Sequence, residues 1–232
     1  MTRGSYEQFC PVAMASEVLC TRWTMVLVRE LLSGSTRFGD LRRGVPRMSP
    51  TLLSQRLKEL EAAGIVTREP VADEVGIHEY QLTAAGKDLR EVVESFGIWG
   101  QKWVETQASL ENLDPSLLMW DMRRNINPAP LPSHRTVIQF HYPELPANRR
   151  YWWLIIDPEA KVEVDLCAKD PGFEVDLWVT TDLKTMTAIW MGVTSLKESQ
   201  SKLLVDGDPA LARSMAQWLG FSHFAGQRKI AG

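Results

Sequence analysis

Residues 37–58 set six cations, Arg37, Arg42, Arg43, Arg47, Arg56 and Lys58, against Asp40 alone. That is a local charge of +5 over 22 residues, in a chain whose net charge is −3. Ser49, Thr51, Ser54 and Gln55 stand among these cations. A glutamine amide can pair bidentately with adenine, and hydroxyls can reach bases or phosphates. Guanidinium and ammonium groups neutralise phosphate. The acidic balance of the whole chain argues against a surface attractive to polyanions throughout, so such binding has to be local. A run of charge is also what any solvated face looks like, and its meaning depends on the elements that carry it.

Those elements follow from spacing. Pro11 suits a first helical turn, and Val12, Ala15, Val18 and Leu19 then share a face. Trp23–Leu32 reads as a second helix with Trp23, Val26, Leu27 and Leu31 inward, stopped by Ser33-Gly34-Ser35. Phe38–Arg43 is a short third helix. Ser49 is then an N-cap candidate with Pro50 at the first helical position. Leu53, Leu57 and Leu60 form a stripe at i, i+4, i+7, Thr51, Gln55 and Lys58 point away from it, and Gly64 ends the helix. Ile65–Glu69 and His78–Leu82 read as strands of a hairpin. Thr83 caps a long helix with Leu89, Val92, Val93, Phe96, Trp99 and Trp103 as its apolar stripe. This order describes a winged helix-turn-helix with a packing helix behind it, and it gives the polar and basic residues a place at a helix presented to a major groove.

Past the polar stretch 105–114 the pattern changes. Leu117–Arg124 is helical; Thr136–Tyr142, Tyr151–Asp157, Lys161–Cys167 and Glu174–Thr180 read as strands; Asp182–Met191 and Asp208–Leu219 read as helices. The second half is therefore α+β. No apolar run nears the ~20 residues of a membrane-spanning helix, and no secretory signal precedes the first helix, so a cytoplasmic chain with free thiols is expected. His78, His134, His141 and His223 lack metal-ligand spacing, and no phosphate loop, dinucleotide fingerprint or nucleophile elbow occurs. No metal, cofactor or catalytic residue is expected. His141 and the pair Asp165 and Asp176 are expected on the wet side of a sheet, and Cys20 in the core.

The motifs Thr21-Arg22-Trp23-Thr24, Arg37-Phe38-Gly39-Asp40-Leu41-Arg42-Arg43, Met48-Ser49-Pro50, Leu53-Ser54-Gln55-Arg56-Leu57-Lys58-Glu59-Leu60 and Glu79-Tyr80-Gln81-Leu82-Thr83 occur in order. Over residues 10–105 the chain resembles the HxlR family of bacterial winged-helix regulators. The resemblance implies a homodimer on an inverted repeat of double-stranded DNA. It implies dimer contacts from Val12, Ala15, Val18 and Leu19 on the first helix and Phe96, Trp99 and Trp103 on the long one. Some family members sense oxidants or electrophiles through a cysteine before the first helix, where Cys10 stands. Family wings often carry a basic residue near the tip. Here the tip holds Asp73 and Glu74, with His78 the nearby candidate, so the wing is expected to add little to DNA affinity.

In the second half, Asp176-Leu177-Trp178-Val179-Thr180-Thr181-Asp182-Leu183, Ala188-Ile189-Trp190-Met191-Gly192 and Leu204-Val205-Asp206-Gly207-Asp208-Pro209 resemble the sterol carrier protein-like domain. That resemblance implies helices laid on a sheet around an apolar site for a hydrophobic effector, with Trp120, Trp153, Trp178 and Trp190 as candidate lining; tryptophans that simply fill a core give the same composition. The expected class is thus α+β, a mostly helical winged helix-turn-helix with a hairpin wing over 1–108 and a sterol carrier protein-like α/β sandwich over 114–232. The function expected is sequence-specific transcriptional regulation, as repressor or activator. The alternatives are a lipid or small-molecule carrier whose winged helix makes protein contacts, and a thiol sensor acting through Cys10.

Overall fold

The computed structural model describes residues 5–72, 74–104, 110, 113–160, 162–227 and 230. Two compact units divide the chain, Met1–Gly97 and Ile98–Gly232.

In the first unit α1 (Pro11–Leu19) follows Cys10 as N-cap with proline at N1, and buries no residue. α2 (Thr24–Leu32) begins one residue later than its apolar pattern predicts. Trp23 sits outside it in the left-handed region (φ 79°), a conformation that costs a non-glycine residue roughly 1–2 kcal/mol. The inward stripe is accordingly Thr24, Leu27, Val28 and Leu31, at i, i+3, i+4, i+7. Val26, expected inside, is exposed. Cys20, expected in the core, is exposed in the turn between these helices. α3 (Phe38–Gly44) is joined to α2 by a buried polar contact: Ser35 Oγ donates to Glu30 Oε1 at 2.7 Å, and the Glu30 carboxylate fills the space where a side chain at Gly44 would project.

α4 (Pro50–Ala62) has both ends specified by sequence. Leu52 N–H donates to Ser49 Oγ at 3.3 Å, and proline occupies the first turn. At the other end Gly64 is left-handed (φ 71°). Gly64 N–H reaches Glu61 O and Ile65 N–H reaches Leu60 O, the paired bonds of a Schellman cap, with buried Leu60 and Ile65 as its apolar contact. Because Ile65 serves that cap, β1 (Val66–Pro70) starts one residue later than predicted. It pairs antiparallel with β2 (His78–Leu82), Val66 opposite Leu82 and Pro70 opposite His78. Tyr80 N–H also bonds Thr36 O at 2.9 Å, and Arg37 bridges Glu79, which ties the hairpin to the start of α3. Thr83 Oγ1 accepts from Gly86 N–H and donates to Ile65 O, opening α5 (Ala84–Trp103). The core joins Leu27, Leu31, Leu41, Val45, Met48, Leu53, Leu57, Leu60 and Val93.

The second unit starts with α6 (Pro115–Asn125) and holds a five-stranded sheet: β3 (Thr136–His141), β4 (Tyr151–Ile156), β5 (Val164–Cys167), β6 (Leu177–Thr180) and β7 (Leu204–Gly207). The order is β5-β4-β3-β6-β7, with β3–β6 parallel and the other pairs antiparallel. Strand β7 is an element the hydrophobic pattern misses, since only four residues carry it. β6 starts later than predicted because Asp176 uses its side chain instead: Val137 N–H donates to Asp176 Oδ2 at 2.8 Å. That bond also takes Asp176 off the wet side of the sheet. Helix α7 (Leu183–Trp190) follows, then a short 3-10 turn (Gln200–Lys202). The predicted helix from Asp208 to Leu219 is two, α8 (Pro209–Arg213) and α9 (Met215–Trp218). The break falls where Ser214 Oγ bonds back to Ala210 O, a local bond that competes with helix continuation. One sheet face, with Ile138, Phe140, Trp152, Leu154, Leu177 and Val179, packs with Leu118, Met119, Met122, Met186, Ile189, Met215 and Trp218 from the helices. The unit is α+β.

Candidate nucleic-acid interface

Thr51, Gln55 and Lys58 are exposed along α4, with Ser54 half-buried between them. Their spacing from Thr51, i, i+3, i+4 and i+7, is one face, and the opposite face is the stripe Leu53, Leu57, Leu60 at no more than 1% exposure. Core packing therefore fixes which side chains α4 presents. Ser49 is exposed too, its Oγ engaged as the cap. Gln55 Nε2 donates to Glu59 Oε1 at 3.0 Å, a neighbouring bond on the surface that orients the amide.

The six cations do not act as one set. Arg42, Arg43 and Arg47 are exposed around α3 and the turn into α4, with Arg43 3.6 Å from Asp40. Arg56, expected beside phosphate, is only 7% exposed. Its Nη1 is 2.5 Å from Glu59 Oε2 and its Nε donates to Arg22 O at 3.2 Å, so it braces α4 from within. It occupies the i+3 position from Leu53 rather than the Thr51 face. Arg37 is also committed: Nη1 and Nη2 donate to the two Glu74 oxygens (3.1 and 2.6 Å) and Nε to Glu79 Oε1 (3.2 Å). Glu74, and next Glu79, hold the Arg37 proton still more firmly than usual.

The wing also differs from its reading in sequence. Asp73 lies outside the described residues. Glu74 is paired rather than bare. Arg68 on β1, which the sequence reading passed over, has Nη2 3.2 Å from His78 Nδ1 across the hairpin. It is a wing cation, and the strand assignment together with the Pro70–His78 register would have found it.

The apolar candidates separate. Val12, Ala15 and Val18 are exposed on α1, while Leu19 packs partly into the core. Phe96, Trp99 and Trp103 are 65, 59 and 50% exposed along α5. Among the tryptophans of the second unit, Trp190 joins the helix layer. Trp120 is buried outside that cluster with Arg123 and Arg124 over its ring (4.3 and 5.2 Å). Trp153 and Trp178 lie on the other sheet face, both in register with Gln139. The four do not line one site. On that face Trp153 is 6% exposed with its Nε1 unpartnered among the described residues, and Trp178 is 40% exposed. His141, expected solvated, stacks on Tyr151 at 4.6 Å with its Nε2 buried and without a partner among the described residues. Burial, and then Arg150, lower its pKa.

Cys10 is exposed. It forms no side-chain cap hydrogen bond of full geometry, yet the amides of Ala13 and then Val12 at the head of α1 pull its pKa below the ordinary thiol value. No group of three or more metal-ligating side chains occurs among the described residues, and no single described helix is long and apolar enough to cross a membrane.

A model of the HxlR-like helix-turn-helix family matches residues 18–108. The Bacillus subtilis (strain 168) HTH-type transcriptional regulator YvaP is 35% identical over 99 residues, 42% of this chain and 92% of the relative. The Mycobacterium tuberculosis (strain H37Rv) HTH-type regulator Rv3095 is 33% identical over 141 residues, 53% of this chain and 87% of the relative. The solved structure of the redox regulator HypR in its reduced form is 36% identical and covers 39% of this chain and 90% of its own, with a TM-score of 0.37.

Proposed function

The chain belongs to the HxlR-like helix-turn-helix family, and from that premise we propose that this transcriptional regulator binds an inverted-repeat operator as a homodimer, each copy placing α4 in a major groove. The observation that carries the reading is the exposed face Thr51, Ser54, Gln55 and Lys58 on a helix capped at both ends and locked on its other side by Leu53, Leu57 and Leu60. Gln55 reads a base edge. Arg42, Arg43, Arg47 and Lys58 neutralise phosphate, with Arg68 of the wing beside them; Arg56 is removed from this set. The exposed stripes on α1 and α5 are the surfaces a second copy would cover. The protein acts in the bacterial cytoplasm.

The unit after α5 takes the role of a sterol carrier protein-like effector domain. Helices on one sheet face support that assignment, and the half-open face with Trp153, Trp178 and His141 supports a planar or hydrophobic ligand there. A ligand with unequal affinity for DNA-competent and incompetent states shifts the balance between them. Footprinting on the promoter of its own gene tests the central claim. A protected inverted repeat, with affinity falling steeply as salt rises, is the expected result. Binding of fluorescent fatty acids with no sequence preference on DNA would instead establish a carrier.

A second reading has its own observation. The exposed Cys10 thiol, its pKa lowered by the α1 amides, is suited to reaction with oxidants or electrophiles. Retention of oxidant-sensitive operator binding in Cys10→Ser would end that reading.

A further inference from the structure

The bond network of Arg37 goes further than a stabilising ion pair. Its guanidinium faces Glu74 edge-on through both Nη atoms. This is the fork geometry that arginine offers carboxylate and phosphate alike. The pair stands in solvent, with 42 and 44% of the two side chains exposed, where ion pairs contribute roughly 0–1 kcal/mol. A phosphate arriving at this edge therefore meets a weak competitor. The wing does not hang on that competitor. Its five-residue register with β1, the Tyr80–Thr36 backbone bond and the Arg37–Glu79 bridge hold the hairpin without Glu74. Glu74 and Glu79 against Arg37 leave this corner at a net −1, beside a helix pair otherwise rich in cations.

We propose that Glu74 is an intramolecular stand-in for a DNA phosphate: it occupies Arg37 in the free protein, surrenders it to the backbone when DNA arrives, and so makes the wing tip an electrostatic brake on binding. This rests on the DNA-binding reading above. Arg37 becomes a conditional phosphate contact, and the acidity of the tip sets how much affinity is withheld.

The test is fluorescence anisotropy on labelled duplex DNA across a salt series, with wild type, Glu74→Gln, Arg37→Ala and the double variant. Glu74→Gln should tighten binding ~3- to 10-fold near 0.1 M salt, and steepen the log–log salt slope by about 0.9, the value of one added phosphate contact. In the Arg37→Ala background the same change should gain less than about twofold. Three results overturn the brake. Lost affinity in a folded Glu74→Gln protein would make the pair a wing-positioning clamp. Unchanged affinity would make it inert. An equal gain with and without Arg37 would reduce it to general charge repulsion. If wild type binds no duplex at any salt, the DNA reading itself fails, and the brake with it; that outcome is read in the wild-type arm alone.

Discussion

Helices α1 and α5 and the helices over the sheet are built from the same kind of amphipathic sequence and meet opposite fates. α1 buries no residue, and α5 buries only Gly86 and Val93 of its 20. α6 buries six of 11 residues and α7 five of eight. Around the sheet Trp218, Tyr142, Phe140, Met119 and Met122 are fully enclosed, whereas Phe96, Trp99 and Trp103 stand in solvent. Exposed apolar surface on this scale marks an interaction site more often than an accident. The contrast separates a region complete around its own core from one whose apolar face awaits a partner outside the chain.

The contrast breaks most readily at Trp218. Its ring is fully buried and its Nε1 donates to Leu211 O at 2.9 Å. Trp218→Ala should cost about 3–5 kcal/mol of stability in the second unit, seen by chemical denaturation, and leave operator affinity per folded molecule unchanged. A matching loss of DNA binding would mean that the units are energetically one. Phe96→Glu probes the other side. At 65% exposure it should shift unfolding free energy by no more than ~0.5 kcal/mol, yet abolish the dimer in sedimentation and lower operator affinity ~100-fold, about 2.7 kcal/mol. An intact dimer would move the interface away from α5.

The same contrast explains what sequence conveyed. Leu53, Leu57 and Leu60, the Ser49 and Gly64 caps and the hairpin register of the wing are local patterns with one physical solution, and they are where expected. The side of α5 that remains uncovered has no local signature, because a 3.6-residue stripe looks identical whether its partner is in the same chain or not. Arg37 and Glu74 are 37 residues apart, so their pairing depends on the wing's path. Arg56 is nearer to legible. Glu59 three residues on can bind it, but only the packing of α4 decides that it faces inward. Trp23 is left-handed for reasons of chain reversal that no propensity reports.

Neighbours on α4 sharpen the assignment within the first unit. Gln55→Ala should cost ~1–3 kcal/mol at the operator and much less on random DNA. Arg56→Ala, one residue away, should lower stability through the loss of its bonds to Arg22 O and Glu59 and spare sequence preference. If the two variants behaved alike on both kinds of DNA, Gln55 would be a phosphate or structural residue instead of a base reader.

The smallest effect distinguishes the two units by their helix caps. In the first, Ser49 and Thr83 cap with neutral hydroxyls. In the second, Asp114, Asp182 and Asp208 cap with carboxylates. Burial raises the Asp114 pKa, but Ser116, the Leu117 amide and Arg149 together outweigh it and leave it lowered. For Asp182, burial is likewise outweighed by the Thr185 hydroxyl and amide. A carboxylate whose folded pKa is depressed contributes stability above its unfolded value, near ~3.9, and loses that contribution as pH falls through the folded one. Asp114→Asn should therefore cost about 1 kcal/mol at neutral pH and progressively less as pH falls below ~4, because the wild-type cap is itself being neutralised. Ser49→Ala should cost a similar amount at every pH, since nothing in that cap titrates. Denaturant melts of both variants across pH 7 to 2 read the difference directly. An Asp114→Asn penalty as large in acid as at neutrality would show that its charge adds nothing to the cap, and the electrostatic distinction between the units would fall.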